Sequence, residues 1–148
     1  MPCVVPAPAK PKVKPMTDPH PQMPQDQPAV RVTAVPADTN VYGDIFGGWL
    51  MSQMDLGASA IASRHAGGRA VTIAVEGMAF HRPVFVGDEL SVFARLIHVG
   101  RTSMRVEVEA WARDRHSEEA NKVTQAVFVF VAVGQDRRPR PVRPMPAG

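Results

Sequence analysis

With 148 residues, the chain is long enough for one domain of ordinary size and too short for a second of the same kind. Its 45% hydrophobic and 21% charged residues exclude a fibrous or wholly disordered protein. Residues 30–134 carry ten Lys and Arg against eleven Asp and Glu, so the net charge of +3 resides in the two ends. A near-neutral core without a basic, aromatic-laced stripe argues against nucleic acid as a partner.

Proline divides the chain in the same places. Nine of the fifteen prolines fall between Pro2 and Pro28 and four between Pro139 and Pro146, leaving Pro36 and Pro83 inside the core. The expected organisation is a disordered Pro-rich arm over residues 1–29, one domain over 30–134 and a flexible Pro/Arg-rich tail over 135–148. The tail arginines Arg137, Arg138, Arg140 and Arg143 read either as solvated or as a segment that folds over an anionic ligand. The single cysteine, Cys3, excludes an internal disulfide framework and a multi-thiolate zinc site. No apolar run suits a signal peptide or a membrane span, so the expectation is a cytoplasmic protein with no membrane partner.

In chain order, Arg31 to Val35 reads as a short strand stopped by Pro36, and the polar run Ala37 to Gly43 as a loop. From Ile45 to about His65 the apolar residues Leu50, Met54, Ala58 and Ile61 recur at helical spacing. The many small residues of this helix, Gly57 and Ala62 among them, predict close, largely buried packing against a sheet, and Gly67-Gly68 supplies its stop. Four strand-like runs follow: Ala70 to Phe80, Glu89 to Val99, Thr102 to Arg113 and Lys122 to Val133. The third alternates, with Met104, Val106, Val108, Ala110 and Ala112 on one face and Ser103, Arg105, Glu107, Glu109 and Arg113 on a face expected to be wet. Tight antiparallel hairpins are expected at Val99-Gly100-Arg101 and around Pro83 to Asp88. One helix and a run of antiparallel strands have few compact solutions. The economical one is α+β, a curved antiparallel sheet wrapped round the helix, the hotdog architecture. Its open edge strand favours pairing with a second copy into a dimer with a continuous sheet.

The richest constellation is Asp38-Thr39-Asn40-Val41-Tyr42-Gly43-Asp44-Ile45-Phe46-Gly47-Gly48-Trp49, which feeds the start of the helix. The unpaired N–H groups of a helix N-terminus suit a developing oxyanion, and Gly47 and Gly48 allow close approach. A purely structural account also fits: Asp44 as N-cap, Gly43 as turn residue, Gly47-Gly48 as a helix-to-sheet contact.

Residues 36–54, together with Val71 to Glu76, Phe80 to Asp88 and Val99 to Ser103, resemble the bacterial acyl-CoA thioester hydrolases of the hotdog superfamily. The resemblance spans nearly all of residues 30–134 and neither end. It implies hydrolysis of acyl-CoA to free acid and coenzyme A by homodimers that assemble further into trimers of dimers, hence hexamers. It also implies that Asp44 is the catalytic carboxylate, as general base or nucleophile, with Asn40 matching the Asn of the N-x-x-G-D-I-F-G-G-W motif. Coenzyme A is then part of substrate and product, with no separate cofactor and no metal.

The chemistry agrees. A thioester carbonyl is electrophilic and a thiolate leaves readily, so one carboxylate and an oxyanion hole suffice. No Ser-His-Asp or Cys-His set is spaced for catalysis, and His20, His65, His81, His98 and His116 show no ligand spacing. Glu76 reads either as an outward carboxylate paired with Arg82 or another basic neighbour, or as a group positioning Asn40 or the attacking water at a dimer seam. Arg82 and Arg101, with Thr102 and Ser103 beside the latter, sit at strand turns suited to holding the phosphates of CoA, or to binding nothing. Two other classes compete: a non-catalytic hotdog module that binds acyl-CoA or acyl carrier protein, and a hotdog dehydratase. The dehydratase needs a His paired with an acid near the helix, and His65 lies at its far end.

Overall fold

The computed structural model describes residues 21–146, so Cys3, His20 and most of the Pro-rich arm lie outside the described residues. Strand β1 (Val30–Thr33) leads through a 3-10 turn (Pro36–Asp38) and a loop to helix α1 (Gly47–Ala66). Strands β2 (Ala70–Glu76), β3 (Glu89–Val99), β4 (Ser103–Arg113) and β5 (Ala120–Ala132) follow. All pair antiparallel in one sheet of order β1-β3-β4-β5-β2. The helix lies across the inner face of this sheet, which is the expected α+β hotdog arrangement.

Period-two alternation meets period-3.6 alternation in the core. Met104, Val106, Val108 and Ala110 of β4, Phe128 and Phe130 of β5, and Leu90 and Val92 of β3 are fully buried against Leu50, Met54, Ala58 and Ala62 of α1. Each large side chain here contributes on the order of 1.5–3 kcal/mol by leaving water. The helix approaches so closely that a Cβ added to Gly57 would lie 3.1 Å from Val92 Cγ1 and 3.2 Å from Ala29 Cβ. That closeness explains why a poor helix former occupies mid-helix. Gly67, at φ +67°, ends α1 in the left-handed conformation as expected.

Four expectations need correction. The turn around Pro83 to Asp88 is no hairpin: the chain leaves β2 at Gly77 (φ +71°) and crosses to the far side of the sheet, so that β2 pairs only with β5 and β3 lies between β1 and β4. The outer face of β4 is only partly wet: Glu107 is buried, Ser103, Arg105, Glu109 and Arg113 are half-buried, and its charges are paired within the sheet. Arg95 donates to Glu107 at 2.6 Å, Arg105 pairs with Glu76, and Trp111 Nε1 donates to Glu109 at 2.9 Å. The helix buries one stripe only. Met51 and Leu56 are exposed, as are Val71, Ile73 and Val75 on the open edge strand β2. Finally, the described part of the C-terminal tail is tied down: Arg140 N–H donates to the Ala132 carbonyl at 2.9 Å and Val142 N–H to the Arg101 carbonyl at 3.0 Å.

Candidate active site

The loop before α1 is closed by its own backbone. Thr39 and Ile45 form an isolated bridge, Asn40 N–H donates to the Asp44 carbonyl at 2.7 Å, and Gly43 N–H to the Asn40 carbonyl at 3.1 Å. Gly43 supplies the left-handed residue at φ +86° that this reversal needs. The Asn40 side chain completes the turn, its Oδ1 accepting from the N–H of Tyr42 at 2.8 Å and of Asp44 at 3.2 Å. Such side-chain mimicry of a backbone turn is the reason Asn is favoured there. Asn40 and Asp44 are thus joined within one protomer.

Asp44 is not the helix N-cap. That position falls to Phe46, two residues on, which has extended backbone angles and no capping side chain. The Asp44 side chain is exposed, and among the described residues no hydrogen bond or ion pair engages its carboxylate. The first N–H groups of α1, at Gly47 and Gly48, therefore receive no side-chain acceptor from the cap and carry the positive end of the helix dipole. The two glycines differ. A Cβ on Gly47 would touch the ring of Phe80, which lies in the segment after β2 rather than in the sheet, at 3.4 Å, whereas nothing lies within 4 Å of one on Gly48, so the expected helix-to-sheet contact is not made here. The backbone at Gly48 is open to an approaching group.

Beside this loop is a cavity of about 240 Å³ whose lining includes Phe46, Gly47, Leu50, Phe80, Arg82 and Val84. Its walls are apolar apart from one guanidinium. The structure therefore gathers Asn40, Asp44, Gly47, Gly48 and Arg82 at the N-terminal end of α1.

The remaining expected site residues make other contacts within the protomer. Glu76 ends β2 with its carboxylate paired to Arg105, neither to Arg82 nor to Asn40. Arg101, Thr102 and Ser103 form the β3–β4 turn at the C-terminal end of α1: the Arg101 carbonyl accepts from Val142, and the neighbouring Arg143 carbonyl lies 3.0 Å from His65 Nε2 near the helix end. Twenty residues of helix separate that end from Asp44, roughly 30 Å at 1.5 Å per residue. Within one protomer they do not share a site. Sequence reasoning missed that the tail docks here. The one available signal was Gly67-Gly68, beside which Arg140 lies. Among the described residues no group of three or more His, Cys, Asp or Glu side chains is placed to hold a metal ion, and no helix is long and apolar enough to cross a membrane.

Comparison with known proteins gives consistent relatives. The family described as the thioesterase superfamily matches residues 42–119. A Zymomonas mobilis protein named as an acyl-CoA thioester hydrolase is 53% identical over 126 residues, 85% of each chain. The acyl-CoA thioester hydrolase YciA of Salmonella typhimurium is 49% identical over 80% of this chain and 92% of its own. Among solved structures, a hexameric thioesterase from Yersinia pestis is 44% identical with a TM-score of 0.76, over 85% of this chain and all of its own. A Staphylococcus aureus acyl-CoA hydrolase in complex with butyryl coenzyme A and coenzyme A is 30% identical with a TM-score of 0.72, covering 78% of this chain and 70% of its own.

Proposed function

The chain belongs to the thioesterase superfamily, as an acyl-CoA thioester hydrolase of the bacterial hotdog type, and from that premise we propose how its residues carry out the hydrolysis. The observation that carries the reading is Asp44: an exposed carboxylate without a partner among the described residues, fastened by Asn40 two residues ahead of an uncapped helix N-terminus.

The acyl group enters the apolar cavity at Phe46, Leu50 and Phe80, which sets the thioester carbonyl against α1. Asp44 takes a proton from a water that adds to the carbonyl carbon, or adds to it directly. In either route the C=O electrons move onto oxygen, where the N–H groups of Gly47 and Gly48 receive the charge. Collapse of the adduct breaks the C–S bond and expels coenzyme A thiolate, which takes up the proton held by Asp44 on the water route and a proton from the anhydride-opening water on the direct route. On the direct route an acyl-aspartyl anhydride forms first and water then opens it. Neither route needs a cofactor beyond the coenzyme A of the substrate. Asn40 acts as a positioning residue, and Glu76 stiffens the seam side of the sheet through Arg105.

The active unit is a homodimer formed at the β2 edge, where Val71, Ile73 and Val75 are exposed, with three dimers assembling into a hexamer as in the hexameric thioesterase from Yersinia pestis. Two-fold pairing of β2 reverses one protomer against the other. It brings the Arg101 to Ser103 turn of one copy toward the Asp44 end of its partner. Arg82 then serves the phosphates of CoA from the same protomer and Arg101, Thr102 and Ser103 serve them from the other.

A panel of acyl-CoA thioesters of increasing chain length, assayed for thiol release with the wild type and Asp44→Asn, tests the reading. Release by the wild type and its loss in the variant are expected; equal rates would remove Asp44 from the chemistry. Single-turnover hydrolysis in heavy-oxygen water separates the routes: water activation puts the label in the released acid, whereas an anhydride opened by water at its Asp44 carbonyl leaves the label in the Asp44 carboxylate.

A further inference from the structure

The cavity of about 240 Å³ beside the active loop has an open end and a closed one. Phe46 and Phe80 are about half exposed and stand at its mouth. Leu50 and Val84, only 2% and 6% exposed, belong to the core and close it on the inside. Arg82 is exposed, so its stem lies along the wall while the charged head keeps to water. An apolar chain that enters past Phe46 and Phe80 therefore runs toward Val84.

The strip of chain at that inner end is a partition. Arg82 and Pro83 line a second cavity as well, of about 200 Å³, and although Phe85 and Val123 contribute to it, so do Asp88, Asp114 and Asn121. The partition is fixed by its own turn. Phe85 N–H donates to Asp88 Oδ2 at 3.0 Å, and Asp88 N–H donates back to the Phe85 carbonyl at 3.0 Å. Gly87, at φ +95°, donates to the Ala34 carbonyl at 2.8 Å, and Ala34 N–H returns a bond to the Asp88 carbonyl at 3.0 Å. A hydrocarbon chain pushed into the second cavity would strip water from carboxylates without replacing its hydrogen bonds, which is unfavourable. The apolar space open to a chain thus ends at Pro83 and Val84. At roughly 30 Å³ per water-sized group, 240 Å³ holds about eight such groups.

We propose that this partition sets the chain-length specificity of the hydrolase, with acyl groups of up to about eight carbons enclosed whole and Val84 fixing the limit. The inference rests on the acyl-CoA reading and names the substrate class of that same site. With the thioester carbonyl held against the start of α1, a longer chain has no apolar space left ahead of it. Its surplus methylenes either stay in water or double back under Phe80, and in both cases they add nothing to binding.

The test titrates the full-length oligomer with alkyl thioethers of coenzyme A, from ethyl to hexadecyl, which keep the chain and the nucleotide but have no carbonyl to attack. Affinity should rise about fourfold per methylene as far as roughly octyl and then level off or fall. Val84→Ala should move that break to longer chains by one or two carbons, and Val84→Leu to shorter ones. In the matching acyl-CoA series, the ratio of kcat/KM for decanoyl over butyryl should rise roughly tenfold in Val84→Ala, the scale of discrimination by a methylene-sized space. Thermal unfolding shows which variants are folded, and the wild-type thioether series decides the limit even if neither is. Affinity that climbs unbroken to hexadecyl would overturn the proposal, and a break unmoved in folded variants would remove Val84 from it. Both results leave the hydrolase reading intact if butyryl-CoA releases thiol. A wild type that releases thiol from no acyl-CoA would instead remove the activity on which the proposal rests.

Discussion

Asn40 Oδ1 accepts the backbone N–H of Asp44 at 3.2 Å, so the residue beside the proposed catalytic carboxylate holds it through the main chain rather than through its side chain. The Asp44 carboxylate is left for the substrate, and the loop is set by a second bond to Tyr42 N–H. Replacing Asn40 by Ala removes the one acceptor of both bonds. The expected cost is about 1–2 kcal/mol of stability at most, because the loop is exposed and water replaces the lost bonds. Activity should fall by more than tenfold, since an ångström of displacement at a reacting group is costly. Thermal unfolding alongside steady-state kinetics checks both.

Asp44→Asn should separate chemistry from stability more sharply. Because Phe46 and not Asp44 occupies the N-cap, the substitution removes no helix-capping bond, and the unfolding midpoint should stay within about a degree or two. The kcat should fall by roughly a hundredfold or more. A large loss of stability with kcat retained would return Asp44 to a structural role.

Legibility in the sequence tracked the range of the interaction. The helix was readable because Leu50, Met54, Ala58 and Ala62 repeat within a few turns, and the strands because alternation is local. The helix start was misplaced by two residues, since an Asp before apolar residues imitates a cap while the chain still bends at Phe46. The pairing of β2 was not readable: Ala74 lies opposite Val129, and no local turn signal encodes a partner that distant. Of the site, the Asn40 to Gly48 loop was legible as one contiguous motif. The separation of Arg82 from Arg101 was not, because two arginine-bearing turns fall at opposite ends of a helix about 30 Å long and nothing local marks which end. The outer face of β4 is drier than its residue types suggest for a related reason. Glu107 and Arg105 are polar by type, but cross-strand partners on β3 and β2 bury or pair them.

The glycines give a paired prediction. Gly48→Ala meets nothing within 4 Å and lies inside α1, so stability should hold or rise by up to about 1 kcal/mol. If the oxyanion approaches this backbone, the added methyl group should lower kcat several-fold. Gly57→Val, by contrast, drives its side chain into Val92 and Ala29 and should cost about 1–3 kcal/mol. Chemical denaturation and kinetics on both variants check the contrast, and an active, stable Gly48→Ala would argue against close approach there.

The β2 edge presents Ile73 as its most exposed apolar residue, at 58%, flanked by Val71 and Val75. In the proposed two-fold pairing of β2, a lysine at position 73 places like charges opposite one another across the seam. Ile73→Lys should shift the protein to smaller species in sedimentation, with activity lost in step if the site needs both copies. Full activity from a dissociated protomer would show that one chain is sufficient.

Whether Arg101 acts across that seam can be decided by complementation. Asp44→Asn and Arg101→Ala are made in separate chains, which are then mixed into verified heterodimers. In the trans arrangement one site of each heterodimer pairs a mutant loop with a mutant turn, and the other pairs an intact Asp44 with an intact Arg101 from the opposite chain. That second site should work with the wild-type KM, giving about half the wild-type kcat per dimer. In a cis arrangement the only loop with Asp44 would carry its own Arg101→Ala, and KM would stay as high as in the Arg101→Ala homodimer. The Arg101→Ala homodimer itself should show a raised KM with kcat nearly unchanged, because a contact made equally in ground and transition states has been lost. Its defect should shrink at high salt, where exposed charges are screened beyond a few ångströms. The wild-type KM in the heterodimer is the outcome that a 20-residue helix between Asp44 and Arg101 requires; the homodimer KM would mean that the substrate spans a single protomer.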